Sequence, residues 1–163
     1  MKTDYSLHSK DRLTFLLLNK GISTWNKLTE FIKYLPYGRN TNRNDLSLVI
    51  IDRLGTCSSK HALLKHVADL NAIPKIKLIL GLYKMTPLNT PKIGNALDST
   101  TLKYIPEAHC YLMINGERRD FTSAKSEFRH IKNDILLEKE IEPNQVINFK
   151  IDFHKNFIKT WIK

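Results

Sequence analysis

Cysteine is scarce in this chain: Cys57 and Cys110 are the only two in 163 residues. Two cysteines cannot make the dense disulfide framework of a small secreted scaffold, and a chain of this length needs no such staple. Each thiol is therefore either a small core residue or a reagent. Long apolar runs are missing too. A spanning helix needs about 18 to 20 successive apolar residues. The nearest stretch, Leu13 to Leu18, is too short even for a signal-peptide core, and Asp4, Asp11 and Arg12 crowd its amino-terminal side. The expectation is a chain made and kept in the cytoplasm, with no membrane partner. There is no zinc-finger spacing, no RNA-binding aromatic signature, no internal repeat and no low-complexity tract.

What is present is positive charge, 26 basic against 16 acidic residues for a formal +10. Such an excess suits polyanions. Here, though, the basic residues are spread along the chain rather than clustered, so ordinary surface lysines are the favoured reading over a nucleic-acid partner. The length fits one domain, residues 1–163.

Apolar spacing predicts two amino-terminal helices. The first runs from about Lys10 to Lys20 with Gly21 as its stop. The second is capped by Ser23 or Thr24, carries Trp25, Leu28, Phe31, Ile32 and Leu35, and ends at Pro36. Residues 38–45 read as a polar loop, while Leu46 to Leu54 is apolar and short, helical or extended. A third helix opens at Cys57 behind the cap Thr56, with Leu63, Val67 and Leu70 in a stripe. Ile76 to Tyr83 reads as a strand buried on both faces. From Lys84 to Pro106 the chain reads as a long irregular connection. Ala108 to Thr122 forms a hairpin about Asn115-Gly116, and a closing amphipathic helix carries Phe149, Phe153, Phe157 and Trp161. The class is α+β.

A two-residue turn at Asn115-Gly116 pairs Ile114 with Glu117, Met113 with Arg118 and Leu112 with Arg119. Extending that register places Cys110, Leu112, Ile114 and Phe121 on an apolar face that would bury. His109 and Asp120 fall on the opposite face as diagonal neighbours, about 7 Å apart at Cβ and within reach of an imidazole–carboxylate hydrogen bond. Such an Asp fixes the tautomer of a His and stabilises its imidazolium. Cys57, in the first turn of its helix, sits near unpaired N–H groups and the positive end of the dipole, which favour thiolate over thiol. Those N–H groups are also suited to hold a developing oxyanion. Cys57, His109 and Asp120 thus form a candidate nucleophile, base and orienter. Gly55 and Thr56 are expected to leave the approach uncluttered.

Gly55-Thr56-Cys57-Ser58-Ser59-Lys60 at a helix start, His109 on a later strand and Asp120-Phe121-Thr122 resemble the transglutaminase-like superfamily over roughly Leu46 to Thr122. The resemblance implies a papain-like α+β core, a Cys57 nucleophile, His109 as general base and acid, and Asp120 as orienter. The chain departs from many members in carrying Cys110-Tyr111 after the His, where they place Trp. For a side chain in the oxyanion hole the candidates are Asn42 and Asn44.

The same residues have plainer readings. Cys57 and His61 stand four apart on a helix and His109 adjoins Cys110, but neighbouring strand residues point to opposite faces and do not readily grip one ion. No metal and no cofactor are expected. His61 and His66 are expected to face solvent, and Cys110 to be core. Arg118 and Arg119 are expected to be solvated, with Arg118 on the His109–Asp120 face where an acidic substrate group would meet it. The functional expectation is cysteine-dependent acyl transfer on an amide or ester of a peptide or protein. Water as acceptor gives a hydrolase and a lysine amine gives a cross-linking transferase; hydrolysis is favoured because excluding water requires extra structure. The alternative is an inactive binding module of the same fold for an acidic protein or nucleic acid.

Overall fold

In the computed structural model, which describes residues 4–162, five helices surround a four-stranded antiparallel sheet. Helix α1 (Arg12–Asn19) begins at Asp11, whose carboxylate accepts from the N–H groups of Leu13 and Thr14, and it stops at Gly21, whose φ of 76° suits glycine. Helix α2 (Trp25–Tyr34) is capped by Thr24 and ends before Pro36. The apolar stretch left open by the sequence is a short helix, α3 (Ser47–Ile51).

Helix α4 (Cys57–Leu70) is the centre of the molecule. Thr56 Oγ1 accepts from the N–H of Ser59, and Ser59 Oγ accepts from that of Thr56, a reciprocal cap that fixes Cys57 as the first helical residue. Gly55 has a different task from leaving the approach open. A Cβ there would lie 2.9 Å from Lys60 Cγ, 3.0 Å from Ser59 Oγ and 3.3 Å from Val49 Cγ1, so the helix start packs where only glycine fits.

The sheet runs β3-β2-β1-β4, with β1 (Ile76–Met85) between β2 (Ile105–Ile114) and β4 (Ile135–Ile141), and β3 (Glu117–Arg119) on the far edge of β2. The hairpin register is the one that the Asn115-Gly116 turn dictates: Ile114 pairs with Glu117, Met113 with Arg118 and Leu112 with Arg119. Both turn residues have positive φ, 52° and 83°. Strand β4 has no counterpart in the sequence reading. It lies at the sheet edge and carries Glu138, Lys139 and Glu140, which blur the alternation expected of a strand.

Leu78, Leu80 and Leu82 of β1, with Cys110 and Leu112 of β2, are fully buried in one core with Leu63, Leu64 and Val67 of α4. Each such side chain contributes roughly 1.5–3 kcal/mol of burial. Leu17, Leu28 and Ile32 extend this core into α1 and α2. The last helix, α5 (Asn148–Trp161), lays Phe149, Phe153 and Phe157 against its edge. This is the α+β arrangement expected, a Cys-bearing central helix packed on a small antiparallel sheet. Among the described residues no helix is long and apolar enough to cross a membrane.

Candidate functional site

Cys57 is 7% exposed at the amino terminus of α4. Neither its N–H nor that of Ser58 has a protein acceptor among the described residues, as first-turn geometry dictates. Across from it stands β2. In the hairpin ladder Ile114 and Leu112 direct their N–H groups toward β3, and by the same alternation so does Cys110. Strand β3, however, ends at Arg119. The Cys110 N–H is left without a β3 partner there and favours the ionised form of the Cys57 sulfur.

His109, the preceding residue, neighbours the same sulfur, and each group favours the charged form of the other. Its Nε2 lies 2.8 Å from Asp120 Oδ2, which leaves Nδ1 for the sulfur. The other Asp120 oxygen accepts from the N–H of Thr122 at 2.9 Å. The three residues singled out in the sequence are therefore brought together, His109 bonded to Asp120 and electrostatically coupled to the Cys57 sulfur.

The electrostatics follow from this packing. Burial opposes charge on the Cys57 thiol, but the Lys150 and His109 cations, with hydrogen bonds from His109 and the Cys110 N–H, outweigh it and hold the thiol well below its usual range. Burial likewise opposes charge on His109. The Cys57 thiolate and the Asp120 carboxylate overcome it and push the imidazole well above its usual value. Asp120 is itself buried, yet the hydrogen bond and charge of the His109 imidazolium keep it far below the ordinary carboxylate range. The resting state these shifts describe is a thiolate–imidazolium pair. Cys110 behaves in the opposite way, since burial raises its thiol to about 11 and leaves it a core residue.

Two residues of α4 tie the Asp120 segment to the helix that carries Cys57. His61 is fully buried rather than facing solvent, because α4 is covered on that side by the segment that follows β3. Its Nε2 accepts from the Phe121 N–H at 2.8 Å, so Nδ1 carries the proton and donates to the Cys57 carbonyl at 2.7 Å. Burial pushes His61 down to about 4, so it works as a neutral bridge although Asp120 Oδ1 is only 3.6 Å away. Lys60, also fully buried, donates to the carbonyls of Leu35 at 2.6 Å and Thr122 at 2.7 Å. His61 had a signal in the sequence: four residues after Cys57 on a helix, an imidazole reaches back to the Cys57 carbonyl.

Lys150 is the functional candidate that the sequence reading missed. From α5 its Nζ reaches 2.8 Å from Ser58 Oγ and 3.8 Å from Cys57 Sγ. The available signal was its place three residues before Phe153, on the apolar stripe of an otherwise solvated helix. Asn42 and Asn44 do not supply the side chain beside Cys57. The Asn42 side chain accepts from the Asn44 N–H, and Asn44 lines a separate cavity of about 500 Å³ with Arg43, His66 and Glu142 that includes none of Cys57, His109 and Asp120. Arg118 is not free to meet a substrate either. Its guanidinium grips Glu138 through two bonds, of 2.6 and 2.5 Å, and Tyr111 donates to the same carboxylate. Arg119 pairs with Glu117 on the surface. His66 is half-buried, and the described residues contain no group of three or more His, Cys, Asp or Glu side chains placed to hold a metal ion.

No protein-family model matches the chain, and no curated protein matches it. Among solved structures it is similar to one from Cytophaga hutchinsonii named a "Putative Cysteine Protease", at 12% identity and a TM-score of 0.39. The match covers 80% of this chain and 45% of that one, so this chain spans less than half the length of that structure.

Proposed function

We propose that the chain is a cysteine-dependent acyl-transfer enzyme of the transglutaminase-like, papain-like type, acting on an amide or ester of a peptide or protein. The observation that carries this reading is the placement of the Cys57 sulfur between the His109 imidazole and the Lys150 ammonium, with His109 held in turn by Asp120. A structural thiol has no use for two cations, whereas a nucleophile that must be ionised at neutral pH does.

In the mechanism, the Cys57 thiolate adds to the substrate carbonyl carbon, and the carbonyl π electrons move to oxygen. The free N–H groups of Cys57 and Ser58 face the oxyanion that results. As the carbon–nitrogen or carbon–oxygen bond breaks, the proton on His109 Nδ1 passes to the leaving group and a thioester remains on Cys57. Neutral His109 then takes a proton from water, whose oxygen attacks the thioester and releases the acid and the thiolate. We favour water over a lysine amine because shielding a thioester from water requires extra structure. Asp120 keeps the imidazole oriented through both halves.

The test is the pH dependence of iodoacetamide labelling at Cys57, read by mass spectrometry, in the wild type and in His109→Ala. Labelling should be complete well below the unperturbed thiol value of about 8.5 and should lose that advantage in the variant. A Cys57 that reacts like a free thiol, or not at all, ends the proposal; steep salt-dependent retention on nucleic acid together with an inert thiol would support a binding module instead.

A further inference from the structure

A side-chain donor adds to what the backbone N–H groups give an oxyanion, and neither Asn42 nor Asn44 stands beside Cys57. Lys150 does. Its ammonium has three N–H groups, of which one goes to Ser58 Oγ at 2.8 Å, while the Cys57 sulfur is 3.8 Å away. Ser58 is the residue whose unpaired N–H follows that of Cys57 at the helix start, so cation and backbone donors border the same space. The charged and titratable groups facing Lys150 are Cys57 from α4, Cys110 and Glu107 from β2, and Tyr37 from the loop after α2. Burial opposes its charge, but the Cys57 thiolate first, and Glu107 after it, keep it an ammonium.

We propose that Lys150 is a catalytic residue of this site, whose ammonium receives the oxyanion formed when the Cys57 thiolate adds to a carbonyl. This rests on the acyl-transfer reading above. In the resting protein the ammonium pairs with the sulfur. When sulfur bonds to the carbonyl carbon, the negative charge moves from sulfur to the carbonyl oxygen, and the ammonium already faces both positions. No water has to reorganise to meet the new charge. On collapse the oxygen regains its double bond, the leaving group departs with the His109 proton, and the ammonium is released unchanged.

A lysine that merely ionised the thiol would leave a different trace, and two reagents separate the two roles. With iodoacetamide the thiolate displaces iodide at a saturated carbon and forms no oxyanion, whereas p-nitrophenyl acetate acylates through one and releases p-nitrophenolate. In Lys150→Met both reactions should need a higher pH, because a cation beside the thiolate is gone. At the high-pH plateau, where the thiol is fully ionised, alkylation should stay within about two-fold of wild type while acylation falls by about 10²-fold. Lys150→Gln, which carries no charge but keeps a polar amide on a shorter stem, should also lose acylation selectively, by no more than the Met variant, and guards against misfolding in that variant. The retained alkylation plateau is itself the control for an intact site. If the two plateaus fall together, or acylation keeps its wild-type plateau in both variants, the oxyanion role is overturned while the acyl-transfer reading stands. A wild-type Cys57 that alkylates at low pH yet takes no acetyl group would overturn that reading as well.

Discussion

His109 Nε2 and Asp120 Oδ2 are 2.8 Å apart, and Asp120 is anchored from its other oxygen by the Thr122 N–H. The carboxylate is thus fixed before it meets the imidazole, and it stabilises the protonated ring that the Cys57 thiolate requires. Asp120→Asn keeps the shape but removes the charge. His109 should then lose part of its elevation, and the Cys57 thiol should rise toward its usual value. The pH midpoint of iodoacetamide labelling is expected to move up, and acyl transfer at neutral pH to fall by about 10²- to 10⁴-fold. An unchanged midpoint would remove Asp120 from the orienting role.

His61 gives the fold a pH dependence of its own. Its folded value, near 4, lies below the unfolded value of about 6.5, so the unfolded chain binds the extra proton first as pH falls. Stability from this residue is complete above the unfolded value and is lost progressively between about pH 6.5 and 4, by roughly 3 kcal/mol over that window. Urea unfolding at pH 7 and pH 4 should show the loss in the wild type. In His61→Gln, which keeps an acceptor for the Phe121 N–H but cannot titrate, the same acidification should cost roughly 2–3 kcal/mol less.

The parts of this architecture that were legible in the sequence are those set by local chemistry. Asn115-Gly116 admits one hairpin register, and Thr56 before Cys57 starts a helix at one residue, so both appear where expected. His61 and Lys60 were not legible in the same way, because their burial depends on where the chain goes after β3. A polar side chain on a helix reads as solvated until a distant segment, here Phe121 and Thr122, arrives to bond it. Lys150 was hidden by the same cause over a longer separation, as its partner Ser58 stands 92 residues away. Arg118 read as free because Glu138 lies on β4, an edge strand whose charges conceal its periodicity.

Lys60 joins α2 to the segment that carries Asp120. Lys60→Met keeps the stem but leaves the Leu35 and Thr122 carbonyls without their buried donor. The loss of stability should be roughly 2–4 kcal/mol, read as a lower urea midpoint at constant slope. Because Thr122 is released, hydrogen exchange at the Phe121 amide should accelerate more than at amides in the middle of β1. Uniform acceleration across the sheet would mean that Lys60 supports the whole fold rather than this segment.

Gly81 is the cross-strand partner of His109, and a Cβ there would lie 2.7 Å from both Cε1 and Oη of Tyr111. Tyr111 has no room to yield, since it is fully buried, packs on Phe128 and donates to Glu138 at 2.6 Å. Gly81→Ala should therefore destabilise the fold by about 1–3 kcal/mol through overpacking. The effect should also reach the site, because the Tyr111 and His109 rings are neighbours with centroids 6.1 Å apart, and Cys57 labelling at neutral pH should slow. A double-mutant cycle with Tyr111→Leu checks the cause. With the ring removed the added methyl has space, so the combined loss should be smaller than the sum of the single losses by more than about 0.5 kcal/mol. Strict additivity would show that the methyl and the ring do not compete, and the constraint on Gly81 would have to come from the backbone instead.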